Sequence, residues 1–424
     1  MPIRLPLLIL FTTLYLSIEA QNDRASAIEA ISFEGTRKYD QNYLYETIST
    51  REGSEISEEV LKQDVQRLNN LSGLGFARYR IDTLDNKPNV VFELEEVRTF
   101  IPILNSGRIT NNLWFQVGFV DINWQGKDQI FSADYLNNDG RHSANLFFQN
   151  PRINNSDWGF SASISSWSSL EPLFFAEGTV NYEYGNDGIG LTAIRHFGRF
   201  RHIEFGGTYF IENYERSETQ FTDIKVGPDR LRQPKALSKI AYKVDRLNYD
   251  RFYQDGSAWY IQYQNVFNTI DNTWFHIVQA QFYKFYKVKK KGNFAGRLLL
   301  GLARNNDSPF APFVADSHTN IRGIGNRIDR GTAQVVLNSE YRHTFYNKKK
   351  ISIQGVVFSD VGTWRNPGGK LSDLLTAEQF RIFTGLGFRI IYPKIYGAVL
   401  RVDYAIDLND SSQRGLVLGI GQYF

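Results

Sequence analysis

The sequence predicts a transmembrane β-barrel of about sixteen antiparallel strands, preceded by one small α/β domain. From about residue 110 to Phe424, apolar and aromatic residues alternate with charged residues and glycines, which is the period of a β-strand. Aromatic residues make up 15% of the chain. Several alternating segments span roughly 10–13 residues, closer to the roughly 9–11 of a tilted membrane strand than to the roughly 5–6 of a soluble one. One face of each strand would therefore contact lipid and the other would line a lumen.

Residues 1–20 predict a secretory signal peptide. Arg4 supplies a positive charge, residues 5–16 form an apolar stretch, and Ile18-Glu19-Ala20 resembles a cleavage site. The apolar stretch is short for a membrane-spanning helix, and no later apolar run reaches about 18 residues. The mature chain is thus expected to be exported, which leaves a secreted β-protein or an outer-membrane β-barrel.

Composition excludes several kinds of site. The absence of cysteine excludes disulfides, thiolate metal sites and cysteine nucleophiles. A net charge of +3 does not indicate nucleic-acid binding. The six histidines show no metal-ligand spacing, and neither a nucleophile elbow nor a phosphate-binding loop occurs. We therefore expect no enzymatic activity, no cofactor and no metal site.

Residues 26–97 predict a small α/β domain in the order βααββ. A short alternating strand covers residues 28–33, and Asp40 is a candidate N-cap for a helix that ends near residue 48. Ser57 precedes a second helix, whose apolar positions at helical spacing end at Gly73. Two further strands, residues 76–84 and 89–95, flank a predicted turn at residues 85–88.

Residues 99–424 are assigned to the barrel. The sixteen candidate strands begin near residues 112, 127, 141, 157, 175, 188, 201, 236, 257, 274, 293, 332, 351, 380, 396 and 414. If the N-terminal domain lies in the periplasm, their alternating direction places the connections at 138–140, 255–256, 289–292, 347–350 and 392–393 on the periplasmic side, and those at 214–235, 305–331 and 361–379 outside. Residues 185–188, Gly-Asn-Asp-Gly, predict a tight turn on the outside.

An ion pair is predicted between a loop and the barrel wall. Arg322 lies between small residues in the long polar loop 305–331, and Asp360 is a lone acid within an apolar strand. Period two places Asp360 on the polar face of its strand, and places Glu340 on the polar face of the preceding strand. The loop is long enough to enter the lumen. A guanidinium group suits a partly dry lumen because it stays charged and pairs with both carboxylate oxygens.

The α/β domain resembles a POTRA domain, and the whole mature chain resembles the BamA/TamA outer-membrane assembly superfamily. The superfamily resemblance depends on the sixteen strands and on two motifs, whose residues are Ile321, Arg322, Gly323 and Gly325 in the loop and Phe358, Asp360 and Gly362 on the strand. It implies that the loop folds back into the lumen and that Arg322 meets Asp360, with Glu340 as a second candidate partner. The single POTRA-like domain implies a short, accessory-type member.

The C-terminal residues 416–424 predict a final strand that ends in an aromatic residue. A terminal strand ending in Phe424 resembles the assembly signal of outer-membrane barrels, with Gln422 as a departure. Gly419 and Gly421 either weaken this closing strand or allow close lumenal packing.

The leading hypothesis is an outer-membrane insertase or translocon. Its partners would be unfolded outer-membrane or secreted protein clients, membrane lipids and possible accessory envelope proteins, without nucleic acid. The POTRA-like domain would bind clients by strand addition, and the barrel would open between its first strand (near residues 112–125) and its last. The alternatives are a two-partner-type secretion pore that exports a partner through the lumen, and a structural or lipid-handling barrel.

Overall fold

The structure is a computed structural model, in which the predicted signal peptide falls outside the described residues. The described residues are 27–84, 87–109, 112–138, 140–176, 178–217, 227–250, 252–304, 310–317, 319–325, 330–348 and 350–424. Within them, no helix combines the length and the apolar character needed to cross a membrane.

The N-terminal domain has the predicted βααββ order. Its elements are β1 (Ala30–Glu34), α1 (Gln41–Thr47), α2 (Glu58–Asn69), β2 (Leu74–Leu84) and β3 (Lys87–Glu96). Asp40 caps α1 by accepting from the backbone N–H of Tyr43, and Ser57 caps α2 by accepting from that of Val60. The sheet order is β1-β3-β2, with β1 parallel to β3, so β1 and β2 are its edges. Leu44, Leu61 and Phe92 are buried between the helices and the sheet.

A second sheet forms the barrel, and its sixteen antiparallel strands confirm the predicted fold class. In chain order the remaining strands are β4 (Phe100–Ile109), β5 (Asn112–Trp124), β6 (Gln129–Asn138), β7 (Arg141–Asn150), β8 (Trp158–Phe175), β9 (Gly178–Phe197), β10 (Arg201–Arg216), β11 (Arg230–Asp250), β12 (Tyr253–Asn268), β13 (Thr273–Val288), β14 (Gly292–Arg304), β15 (Phe313–Val314), β16 (Arg330–Gly331), β17 (Ala333–Asn347), β18 (Ser352–Arg365), β19 (Arg381–Ile391), β20 (Val399–Asp407) and β21 (Arg414–Ile420). Each barrel strand pairs with its sequence neighbours, except that β14 pairs with β17. In the described residues, β15 and β16 form a separate two-stranded sheet. The ends of the barrel sheet are β4 and β21.

The two faces of the barrel follow the predicted alternation. On β18, Ser352, Gln354 and Asp360 are buried in the lumen, whereas Val357 is exposed on the outer surface. We call the end of the barrel that contacts the N-terminal domain the near rim, and the opposite end the far rim.

The first barrel strand is not the one that the sequence predicts. The prediction began the barrel near residue 112, but the first strand is β4, which pairs with β5 from Phe100↔Asp121 to Ile109↔Asn112. Pro102 obscures this strand in the sequence because proline lacks a backbone N–H and is unfavourable inside a sheet. Since β4 is an edge strand, Pro102 is tolerated there.

The predicted turn at residues 185–188 is also wrong. These residues lie inside β9, where Gly185 pairs with Ser168 of β8 and with Asn213 of β10. Pairing on both sides holds the segment extended in spite of its turn-like composition. The missed β4 and the extra turn offset each other, so the count of sixteen is right while the early strands are misassigned. Because β4 precedes it, the connection between β6 and β7, predicted on the periplasmic side, lies at the far rim. The predicted connection at residues 255–256 is also wrong, since β12 begins at Tyr253 and includes both residues.

The chain passes from the domain to the barrel along the near rim. Arg98 N donates to Lys394 O (2.9 Å), and Tyr396 N donates to Arg98 O (3.0 Å), so the linker pairs with the connection between β19 and β20. Lys38 Nζ of the domain donates to the Asp121 carboxylate of β5 at 2.6 and 2.8 Å. These contacts fix the domain against the near rim, at β5 and at the connection between β19 and β20.

A second domain–barrel contact includes a carboxyl group with a perturbed pKa. Tyr39 of the domain donates its hydroxyl hydrogen to Asp128 Oδ1 (2.9 Å) in the β5–β6 turn. The backbone N–H of Gly73 donates to the same hydroxyl oxygen at 2.9 Å. Burial at this contact raises the pKa of Asp128 to about 6. Docking of the domain therefore favours the protonated Asp128.

Candidate functional site

The loop that carries the predicted arginine lies inside the barrel. We call residues 310–325, of which residue 318 is not described, the motif loop. Its tip is folded by local hydrogen bonds: Ile321 N donates to Asp316 O (3.0 Å), and Gly325 N donates to Ser317 Oγ (2.7 Å). Ile321 and Ile324 are buried in the core cluster that fills the lumen. Apolar burial therefore contributes to holding the loop inside.

Arg322 binds two carboxylates of the barrel wall. Its Nε and Nη2 atoms donate to the two oxygens of Asp360 at 2.8 and 2.9 Å, a bidentate geometry, and its backbone N donates to Asp360 Oδ2 at 3.0 Å. Its Nη1 donates to Glu340 Oε2 at 2.5 Å. All three side chains are fully buried (0% exposed). The loop is thus fixed to β17 and β18 at mid-lumen.

Two aromatic rings enclose the same guanidinium group. The Arg322 Cζ atom lies 3.6 Å from the ring centroid of Phe358 and 4.4 Å from that of Tyr423. Tyr423 also donates its hydroxyl hydrogen to Ser317 O (3.1 Å). Both rings exclude water and add cation–π attraction. The strand-motif aromatic Phe358 therefore forms one wall of the arginine site, and the chain's C-terminal segment forms the other.

Charged groups that sequence reasoning did not assign to the site surround this pair. Arg342 Nε donates to Glu340 Oε1 (2.5 Å), and Arg389 Nη1 donates to Asp403 Oδ1 (2.7 Å). Arg401 lies 3.6 Å from Asp403. These residues come from three different strands, β17, β19 and β20. In the sequence they share one feature that could identify them, which is a position on the polar, lumen-facing side of the last strands.

The motif glycines make room for the loop. A Cβ atom on Gly362 would lie 2.5 Å from Cδ1 of Ile321, and one on Gly323 would lie 2.6 Å from Cβ of Ala405. Gly323 also has a φ of +91°, a left-handed conformation that glycine adopts without strain. Gly325 has a φ of +94° and no neighbour within 4 Å of a built Cβ, so its requirement is conformational.

The predicted terminal strand is shorter than expected. β21 ends at Ile420, and Gly421 (φ +91°) turns the chain away from the barrel wall, so Phe424 lies in the lumen rather than at the end of a strand. Gly419 remains on β21, where a Cβ would clash with the Arg401 guanidinium group. Close lumenal packing therefore accounts for Gly419, and a left-handed turn accounts for Gly421.

The barrel has a seam between its first and last strands. No ladder joins β4 to β21 within the described residues, and β21 has only seven residues. Four large apolar side chains lie exposed beside this seam, Leu104 (75%) on β4 and Leu416 (62%), Leu418 (61%) and Ile420 (78%) on β21. The two end strands therefore each present one unpaired edge.

Comparisons with known proteins agree with this architecture. Residues 123–424 match the Omp85 superfamily domain, and residues 26–97 match a POTRA family described as surface antigen variable number repeat. No match was found among curated proteins.

Among solved structures, the chain is similar to BamA from Haemophilus ducreyi lacking POTRA domains 1–3, with a TM-score of 0.55, 16% identity, and coverage of 93% of this chain and 83% of that one. It is also similar to CdiB from Acinetobacter baumannii (TM-score 0.52, 12% identity, 91% and 71% coverage). CdiB from Escherichia coli gives a TM-score of 0.53, 11% identity, and 92% and 75% coverage. At these identities the likeness shows the fold. With most of its length matched by the family model, the chain belongs to the Omp85 superfamily of outer-membrane β-barrels.

Proposed function

We propose that this protein is an outer-membrane insertase or translocon for protein clients. Its N-terminal domain, placed in the periplasm, would receive unfolded chains, and the seam between β4 and β21 would assemble them into the membrane or pass them across it. Membrane lipids and accessory envelope proteins would be further partners. The observation that carries this proposal is the seam: β4 and β21 are the two ends of the barrel sheet, and no ladder joins them in the described residues.

An unpaired strand edge is costly in lipid and useful to an incoming strand. Each backbone polar group left unpaired in hydrocarbon costs several kcal/mol, by an order-of-magnitude estimate. An incoming client strand has the same need, so an exposed edge serves as its template. The short β21 is the weaker edge, because Gly415 and Gly419 supply no side-chain packing along it. Opening at this position would disturb the fewest contacts.

The N-terminal domain is placed to deliver a strand to the seam. β2 is its longer edge, and in the described residues its only strand partner is β3. The start of β2 approaches the β19–β20 connection, where a Cβ on Gly75 would lie 4.0 Å from Pro393 O. A cavity of about 690 Å³ lies here, and Leu74, Tyr396 and Gln422 are among its lining residues. A client strand added to β2 would thus reach the near end of the seam.

The lumen is a less suitable path in this conformation. The motif loop is fixed to the wall through Arg322, and the ring of Tyr423 packs on the same guanidinium group. Transport through the lumen would require both segments to move and would break the buried ion pair between Arg322 and Asp360. Passage through the seam leaves that ion pair in place.

Disulfide locking tests the proposal. The chain contains no cysteine, so Leu104→Cys can be combined with Leu416→Cys, Leu418→Cys or Ile420→Cys, since these outer positions face the same seam. A disulfide requires Cα atoms within about 7 Å. The matched control joins Leu386→Cys to Tyr404→Cys, which face each other on the paired strands β19 and β20.

We expect a locked seam to stop client insertion in reconstituted vesicles, reduction to restore it, and the control disulfide to have no effect. If client insertion is unaffected by a fully formed seam disulfide, the seam is not the path. Export continuing under that lock would favour the secretion pore, and no client handling by any variant would favour a structural or lipid-handling barrel.

A further inference from the structure

Two neighbouring turns at the near rim carry a cluster of lysines. The turn between β13 and β14 is formed by residues 289–291, and the connection between β17 and β18 includes residues 348–350, of which residue 349 is not described. All six residues are lysines. The two turns lie side by side because β14 pairs with β17, and Thr344 N donates to Lys291 O at 2.8 Å. We call residues 289–291 and 348–350 the lysine turns.

The positive charge of the lysine turns is not neutralised by acidic neighbours. Residues 284–293 and 343–353, which include the turns and the adjoining strand ends, contain eight lysines and no acidic residue. On β13, Lys287 pairs with Asp250. The described lysines of the turns themselves are exposed and form no ion pair with any other described residue. The cluster therefore favours an anionic partner from outside the chain.

This excess of positive charge is confined to one rim. At the far rim, the connections on the same side of the barrel are residues 269–272, 366–380 and 408–413, which together contain four acidic residues and one lysine. The long connection 305–331 contains three acidic and three basic residues. The partner of the lysine turns is therefore expected at the near rim alone.

Exposed aromatic side chains lie beside the lysine turns on the outer surface. The pairing of β17 with β18 shifts register between Thr344 and Tyr346, which marks a β-bulge. Because a bulge adds one residue to a strand, Phe345 and Tyr346 both face outward, and they are 65% and 45% exposed. The Phe345 ring packs over Gly355 of β18, where a built Cβ would lie 2.5 Å from its Cε2 atom. Two adjacent rings thus extend the apolar outer surface to the lysine turns.

A histidine on the same outer surface has room for one more polar partner. His343 lies between Tyr341 and Phe345 on β17, with its ring centroid 5.1 Å from that of Phe345. Its Nδ1 atom lies 3.2 Å from the hydroxyl oxygen of Tyr341, which is the only hydrogen-bond partner of the imidazole among the described residues. A polar group at the edge of the apolar surface is stabilised by a further hydrogen bond, which a lipid headgroup could supply.

We propose that the lysine turns, together with His343, Phe345 and Tyr346, form a binding site for anionic phospholipids of the leaflet that meets the near rim. A soluble anion would satisfy the lysines and leave the two rings uncovered, whereas a phospholipid supplies a phosphate for the lysines and acyl chains for the rings. The inference names the lipid class and the site for one of the partners proposed above. It rests on the proposed function only through the membrane location of the barrel, and it does not depend on client insertion.

The test measures which lipids lie beside this surface in vesicles. Since the chain has no cysteine, Ile353→Cys places a fluorescent reporter on β18 opposite Tyr346. Leu302→Cys places the matched control on the exposed surface at the far end of β14. The vesicles contain phosphatidylethanolamine with either phosphatidylglycerol or phosphatidylcholine, whose brominated acyl chains quench the reporter. In two variants all six lysines of the lysine turns are replaced, by glutamine in one and by arginine in the other.

We expect phosphatidylglycerol to be enriched at least about fivefold over phosphatidylcholine beside residue 353, because one lysine near an anionic surface contributes about that factor. Beside residue 302 the two lipids should quench equally. The glutamine variant should lose the enrichment, and the arginine variant should keep it, because guanidinium groups also bind phosphate. Salt at about 1 M should reduce the enrichment, since it screens charges beyond about 3 Å.

Equal quenching by the two lipids beside residue 353 of the wild type would overturn the proposal, as would enrichment that the glutamine variant retains. Enrichment of the same size beside residue 302 would reject a site at the lysine turns. Its loss in excess inorganic phosphate, with the ionic strength matched by chloride, would assign the turns to a soluble anion instead. The comparison of residues 353 and 302 in the wild type needs no lysine variant, so it does not depend on how those variants fold. It also needs no client, so enrichment without client insertion would reject the proposed function alone.

Discussion

Replacing Arg322 with alanine would remove the centre of the lumenal site. The substitution deletes two hydrogen bonds to Asp360 and one to Glu340. Glu340 keeps its hydrogen bond from Arg342. Among the described residues, Asp360 keeps the hydrogen bonds from the backbone N–H of residue 322 and from the side chain of Asn338. Asp360 therefore loses more of its hydrogen-bond partners than Glu340 does.

Removing one partner of a buried ion pair typically costs about 3–5 kcal/mol. Because Asp360 keeps two hydrogen-bond donors, we expect a cost at the lower end of this range, about 3 kcal/mol. That free energy corresponds to roughly a 100-fold increase in the equilibrium constant for opening of the motif loop. Hydrogen-exchange mass spectrometry of residues 310–325 measures this opening directly. The matched control is Arg201→Ala, an exposed arginine on β10.

A double variant isolates the pairwise interaction. Asp360→Asn in the Arg322→Ala background removes the uncompensated charge, so it should recover part of the lost protection. Loop protection that stays within about threefold of the wild type in Arg322→Ala would refute the reasoning, because a buried pair of this kind cannot be removed at so small a cost.

Three further outcomes are expected. Gly362→Ala should displace Ile321 and destabilise the docked loop by about 1–3 kcal/mol, measured by the same exchange experiment; unchanged protection would contradict the packing. Asp128 binds protons more readily when the domain is docked, because its pKa is about 6 there against 3.8 for an ordinary aspartate. Docking should therefore strengthen as the pH falls through about 6 and weaken as it rises, and Asp128→Asn should abolish this dependence, as measured by energy transfer between labels on the domain and barrel. Deleting residues 26–97 should leave a heat-modifiable barrel that no longer co-purifies with unfolded clients, and undiminished client capture would remove the strand-addition argument.

The sequence predicts the fold class and the central ion pair because both depend on local patterns. Alternation along a strand predicts which side chains face the lumen, and both Asp360 and Glu340 are buried in the structure. The loop arginine is recognisable because Arg322 precedes Gly323 in a long polar loop. Neither inference needed to know which strands are neighbours in space.

The parts that sequence reasoning missed depend on tertiary context. Pro102 disfavours a strand unless that strand is known to lie at the edge of a sheet. Residues 185–188 have the composition of a turn, and only the pairing with both neighbouring strands shows that they are extended. The lumenal role of Tyr423 follows from one backbone angle, the φ of +91° at Gly421. A glycine permits that angle but does not require it, so the sequence alone does not predict the direction of residues 422–424.

The most direct test of the central claim is to locate a client while it crosses the membrane. A photoreactive residue placed at Leu104 faces the seam from β4, and one placed at Gln334 faces the lumen from β17. A client stalled during insertion by a tightly folded C-terminal fusion should cross-link to position 104 and not to position 334. Cross-links at position 334 with none at position 104 would contradict the account and place the client in the lumen.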